Sequence, residues 1–309
     1  MQRRFHHFSP LSGWPSPLSM AGLALVVPLA LSHAPEARAV SYAQSVVSFN
    51  AGSGTAGIWT NPSAALGLPS PLTGDTGNPF GVFPNVLSPF SSAFETDEIV
   101  QIGEGGHITL ELKDAVKPLA GGPEIGVIEN VSFIDLAYPT GLVGSPVLSF
   151  GEDSAQVELS ANGSTWVSLG SIPFNMPANA YTDLTDPYSP TAGATLSDFG
   201  KPYVGSVSDF AGLDYAGVVQ QLNGSVGGTW IDISAAGLTE VRFIRFSVAD
   251  DGNAQTQLTL ELDSVLVAND AVVNGNGGGN GPVPEPTTLG LLLLAGGPWL
   301  ALSRAGRRG

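Results

Sequence analysis

The side chains able to do chemistry in this 309-residue chain are mostly carboxylates: it holds 27 Asp and Glu against 11 Lys and Arg, four His and no Cys. Without thiols there is no disulfide framework, no Cys-held zinc or iron–sulfur site and no thiol nucleophile. Three histidines, His6, His7 and His33, precede residue 40, so a Ser-His-Asp relay in the remainder would depend on His107. No Gly-x-Ser-x-Gly turn accompanies it. A glycosidase needs two carboxylates ~5–9.5 Å apart, a spacing that so many acids meet by chance. The expectation is a protein that is not an enzyme.

Two non-catalytic chemistries remain. Calcium takes hard oxygens from carboxylates, amides and carbonyls on loops. Asp250, Asp251 and Asn253 offer them in one turn around Gly252, and Glu261 or Asp263 follows on the next strand. Glu95-Thr96-Asp97-Glu98 is a second acidic group, and neither has the spacing of an EF-hand. The same turn also reads as a solvated hairpin. Trp59 beside Asn61, with Tyr181, Tyr188 and Tyr203 further on, offers aromatic faces on which a sugar would stack. These rings equally suit the packing of a loop.

The elements that must position these groups read as strands. Residues 45–49, 107–112, 239–248 and 257–267 are rich in β-branched and aromatic residues, and 107–112 alternates with period two. The clearest unit is 156–160 and 165–169 around Asn162-Gly163, a turn pair that favours a left-handed backbone. Helical pattern is confined to 214–222 and a single turn at 62–66. Many short strands with Gly/Pro-rich turns predict an all-β sandwich or barrel. Stretches 60–92 and 173–228 would be long excursions from it, not a second core.

Both ends read as addresses. Arg3 and Arg4, the apolar run 20–31 and the small-x-small site Ala37-Arg38-Ala39 predict a secretory signal helix over 1–39 with cleavage at Ala37 and Ala39. Residues 274–283 are a Gly/Asn-rich linker. Residues 284–309 then give Pro284-Glu285-Pro286, an apolar stretch over 287–303 and a basic end, Arg304, Arg307 and Arg308. That order predicts a short transmembrane helix with its positive end held in the cytoplasm. Between the addresses, removing Glu36 and Glu285 leaves 25 carboxylates against Lys113, Lys117, Lys201, Arg242 and Arg245, a net charge of −20. Such a body lacks the basic footprint of a nucleic-acid binder and attracts divalent cations.

The tail resembles the PEP-CTERM sorting domain of Gram-negative bacteria. That resemblance implies export through the Sec machinery, an inner-membrane intermediate, recognition of Pro284, Glu285 and Pro286 by an exosortase-type enzyme, and delivery to the cell surface or extracellular matrix.

The body, residues 40–273, is similar to galactose-binding-like (discoidin-like) jelly-roll domains. The likeness is carried by residues 60–69 and 102–110, by Gly126-Val127-Ile128-Glu129-Asn130, and by the hairpin from Val157 to Leu169. It continues through 231–238, 241–246 and Leu262-Asp263-Ser264-Val265. It implies a jelly-roll β-sandwich with long loops that binds extracellular polysaccharide; calcium, the cofactor expected from the loop carboxylates above, would act there as a bridge or clamp. The alternatives are a structural matrix protein with no specific ligand, or an extracellular glycan hydrolase or lyase.

Overall fold

The structure is a computed structural model, and it describes residues 40–73, 85–252 and 258–273. The signal and its cleavage site, the linker, the sorting tail and Asn253 lie outside the described residues. Among the described residues no helix is long and apolar enough to cross a membrane.

Thirteen strands and one α-helix make up the described body. In chain order they begin with β1 (Ser41–Asn50), β2 (Leu72–Thr73), β3 (Asn85–Val86), β4 (Val100–Gly103) and β5 (His107–Val116). β6 (Ile125–Glu129), β7 (Ser132–Phe133), β8 (Ser149–Phe150), β9 (Asp153–Ser160) and β10 (Val167–Phe174) follow. Helix α1 (Tyr215–Leu222) precedes β11 (Thr229–Ile231), β12 (Val241–Ser247) and β13 (Thr259–Val267). The pairs β2–β3 and β7–β8 stand apart as small ribbons.

The other nine strands form one antiparallel sheet in the order β10-β9-β12-β5-β1-β13-β6-β11, with β4 also on β13. β1 folds this sheet back on itself. Its first residues, Ser41 and Tyr42, pair with Val267 and Leu266, and from Ala43 onward it pairs with β5. Register shifts at Ala43/Ser45 and Val46/Ser48 mark the bend, as bulges do where a strand must twist sharply. The result is a nearly closed antiparallel sheet of two leaves. Ile108, Leu110, Val157, Leu159, Ile244 and Phe246 come from one leaf, and Ile125, Val127, Leu260, Leu262 and Val265 from the other; all join one buried cluster.

The alternation read along 107–112 is what produces this: Ile108, Leu110 and Leu112 are fully buried while Lys113 is exposed. The Asn-Gly hairpin forms between β9 and β10, with Gly163 at φ 72° and the Asn162 carboxamide accepting from the N–H of Ser164 and Thr165 at 2.9 Å. α1 starts where Asp214 accepts from the N–H of Gly217 at 2.8 Å, and ends on Asn223 in the left-handed region. The excursion between β10 and β11 is more than surface loop. Met176, Phe210, Tyr215, Val218 and Leu222 gather with Phe90, Phe133 and Val143 into an apolar cluster of their own.

Candidate functional site

The site is built where the ends of β4, β6 and β13 meet. β6 stops at Glu129, but its ladder runs one step further, because the N–H of Asn130 donates to the Glu261 carbonyl at 3.0 Å. That register sets the Asn130 and Glu261 side chains beside each other. Asn130 Nδ2 donates to Glu261 Oε2 at 2.7 Å, and Gln101 Nε2 on β4 donates to Glu261 Oε1 at 2.9 Å. Gln101 is fixed in turn: its Oε1 accepts from the N–H of Ala56 at 2.7 Å, and its own N–H donates to the Trp59 carbonyl at 2.9 Å. The Trp59 indole N–H closes the circuit on the Phe94 carbonyl at 2.6 Å, and the Ser92 hydroxyl donates to Asn130 Oδ1.

These bonds frame an open pocket of about 390 Å³ lined by Trp59, Phe90, Ser91, Ser92, Phe94, Asn130 and Ser132. Its walls are aromatic and its polar groups are hydroxyls and one carboxamide, the mixture that suits a ligand with apolar faces and polar edges. Among the described residues no carboxylate lines it.

Carboxylates crowd behind it instead. Gly151, at φ 70°, lies so close to Asn130 that a Cβ would stand 1.8 Å from the Asn130 carbonyl oxygen. Only glycine permits that approach, and it brings Glu152 and Asp153 to the end of β6. Asp153 accepts from the N–H of Glu261 and the hydroxyl of Thr259; burial and then Glu261 nevertheless push its pKa up to about 7. Burial also raises Glu261 against the lowering effect of Asn130 and Gln101. Glu129 is raised well above the usual carboxylate range, first by burial and then by Asp153, Glu261 and Glu152. Its two carboxylate oxygens are buried without a hydrogen-bond partner.

The residues expected from sequence are placed as follows. Trp59 lines the pocket. Asn61 caps the single turn Pro62–Ala65, accepting from the N–H of Ser63 at 3.1 Å. Asp250 closes the turn after β12 by accepting from the N–H of Gly252 at 2.9 Å, and both Asp250 and Asp251 are exposed. Asp263 lies inside β13, fully buried, with its pKa raised by burial and by Glu98. β13 pairs Thr259 with Gly103, next to the Asp250 turn, and Asp263 is four residues further on, about 13 Å at the rise of a strand. The fold therefore does not gather Asp250 and Asp263 around one point. Among the described residues no three carboxylate or imidazole side chains form a ready-made metal shell.

Gln101, Glu129, Asn130 and Asp153 are not singled out as site residues by the sequence, although Glu129-Asn130 carries part of the jelly-roll resemblance; Glu261 enters from sequence as the alternative to Asp263 beside the Asp250 turn. The available signal was a charged residue closing a wholly apolar run, Ile125 to Ile128.

The fold and the pocket together define a mostly β, antiparallel body with an aromatic-walled pocket backed by buried acids. No family model matches the chain, and no curated protein matches it.

Proposed function

We propose that this chain is an exported surface or matrix protein whose jelly-roll body binds polysaccharide without altering it. The observation that supports binding is the pocket itself: Trp59, Phe90 and Phe94 present apolar rings, and Asn130 is held in place at its floor by Glu261. A hydrolase or lyase would need carboxylates facing the ligand, and those of this region stand behind Asn130 rather than in the lining. The sorting reading rests on Pro284, Glu285 and Pro286 with the apolar stretch and Arg304, Arg307 and Arg308 behind them. Exosortase-type processing then releases the body from its membrane intermediate.

Binding of the purified protein to arrayed extracellular polysaccharides tests the first part. The wild type retains at least one polysaccharide, and Trp59→Ala weakens it by about tenfold or more, the loss expected when a stacking face is removed. Equal retention of both proteins would put the binding surface elsewhere, and no retention of either would favour the structural-matrix reading. Replacing Pro284, Glu285 and Pro286 by alanine tests the second part, with the protein expected to stay in the membrane fraction.

A further inference from the structure

We propose that Glu129 and Asp153 hold a hard divalent cation, calcium in type, at the end of β6. Two glutamates bracket β6, Glu124 just before it and Glu129 at its last residue, and both are almost wholly shut off from solvent. Glu124 is satisfied on both oxygens by protein donors, the N–H of Leu119 and the N–H of Ile233. Glu129 has none on either oxygen. What faces it is more negative charge: Asp153 and Glu152 from the start of β9, and Glu261 from β13.

A buried carboxylate with no donor is several kcal/mol out of balance unless something positive completes it. The described salt bridge, Arg245 with Glu158, lies on the other leaf. A divalent cation would compensate Glu129 and Asp153 at once, since it takes carboxylate, carbonyl and water oxygens together. Glu261 is held off by Gln101 and Asn130. Two carboxylates therefore bind directly and the third contributes charge from behind, so the shell is not a three-carboxylate one. Gly151 is the device that brings β9 close enough for this. The inference stands apart from the polysaccharide reading, because the cation site would exist whatever the pocket holds.

Thermal unfolding of the purified full chain tests it, with calcium chloride against chelator at pH 7.5. Calcium at about 100 times its Kd should raise Tm by roughly 5 °C or more. Glu129→Gln removes the buried charge without changing shape, so it should fold, melt above the chelated wild type and lose the calcium response. Asp153→Asn should lose that response too. Asp250→Asn, in the exposed turn, should keep it. Three results would overturn the proposal: no calcium response in the wild type, a response that survives both Glu129→Gln and Asp153→Asn, or a chelated Tm that climbs from pH 8 to pH 6 with no effect of calcium. The last would mean that protons, not a cation, neutralise the cluster.

Discussion

The two ends of β6 are sealed from water to the same degree and are chemically opposite. At its start Glu124 spends both oxygens on backbone N–H groups, one from the loop after β5 and one from Ile233 after β11, and so ties three segments together. At its far end Glu129 has no donor at all and is surrounded by other acids. A carboxylate with two N–H donors is a clamp whose loss damages the fold. One with none is a liability to the fold unless a proton or a bound cation compensates its charge.

The largest expected effect breaks the clamp. Glu124→Ala leaves the buried Ile233 N–H and the partly buried Leu119 N–H without an acceptor, at about 1–3 kcal/mol for the buried one and less for the other, so stability measured by urea unfolding should fall by roughly 2–4 kcal/mol. Glu129→Ala in chelator should cost far less, because only packing is lost while an uncompensated charge goes with it. Equal losses from the two would show that the ends of β6 are not different in kind.

Glu261 lies between these cases, since it is buried, raised in pKa and yet bonded to two side-chain amides. Hydrogen bonds to a charged group contribute about 1.5–3 kcal/mol. Glu261→Ala should therefore release Asn130 and Gln101, weakening polysaccharide affinity by about tenfold or more in a titration. Glu261→Gln should restore part of it, because one oxygen still accepts. An affinity untouched by Glu261→Ala would mean that the floor of the pocket does not depend on this bond.

The strands were legible where one side is apolar and the other polar, as in β5, or where a turn dipeptide announces itself, as at Asn162-Gly163. β6 was hidden because all five of its residues are buried, and a strand dry on both faces has no alternation to read. β4 is hidden for the same reason. Of the residues expected from sequence, Trp59 stands in the pocket lining, whereas Asn61, two residues on, caps the single turn Pro62–Ala65. The acids gathered around Glu129 come from residues 129, 153 and 261, which only the pairing of β6 with β13 and the approach of Gly151 bring together. Spacing along the chain favoured Asp250 and Asp251 instead, whose closeness in sequence makes a turn rather than a buried site.

Asp135 sharpens the same contrast at a partly buried position. Burial is the largest single influence and raises it, but the N–H groups of Leu142, Ala137 and Gly141 and the hydroxyl of Tyr188 together outweigh burial and hold its carboxyl below the usual range. A folded pKa below the unfolded one contributes stability above the unfolded value of about 3.9, lost as pH falls through the folded value. Asp135→Asn should therefore cost about 1 kcal/mol at neutral pH, discounted for exposure to solvent, and almost nothing at pH 2. Acid titration of urea midpoints for the two proteins should converge below pH 3. A gap that persists there would assign the loss to packing of the 135–142 loop.

The smallest effect belongs to the described positive charge that does have a carboxylate partner. Arg245 on β12 donates from Nε to Thr109 Oγ1 at 3.0 Å and from Nη1 to Glu158 Oε2 at 3.3 Å, with its guanidinium 3.9 Å over the Trp166 ring. The Arg245 and Glu158 side chains keep 29% and 31% of their exposure, so water competes for both charges. A double-mutant cycle for Arg245 and Glu158 should give about 0.2–1 kcal/mol, shrinking in 1 M salt as screening shortens to ~3 Å. The Arg245–Trp166 pair should give about 0.5–1 kcal/mol and persist better in salt, since it depends on contact with the ring face. Arg245→Lys keeps the charge but not the planar fork, and should lose the Thr109 bond with most of the stacking. This pair is weak because solvent already satisfies it, whereas Glu129 has neither solvent nor partner. A coupling above about 2 kcal/mol at Arg245 would mean that solvent access does not separate the two settings, and the case for a missing cation at Glu129 would lose its footing.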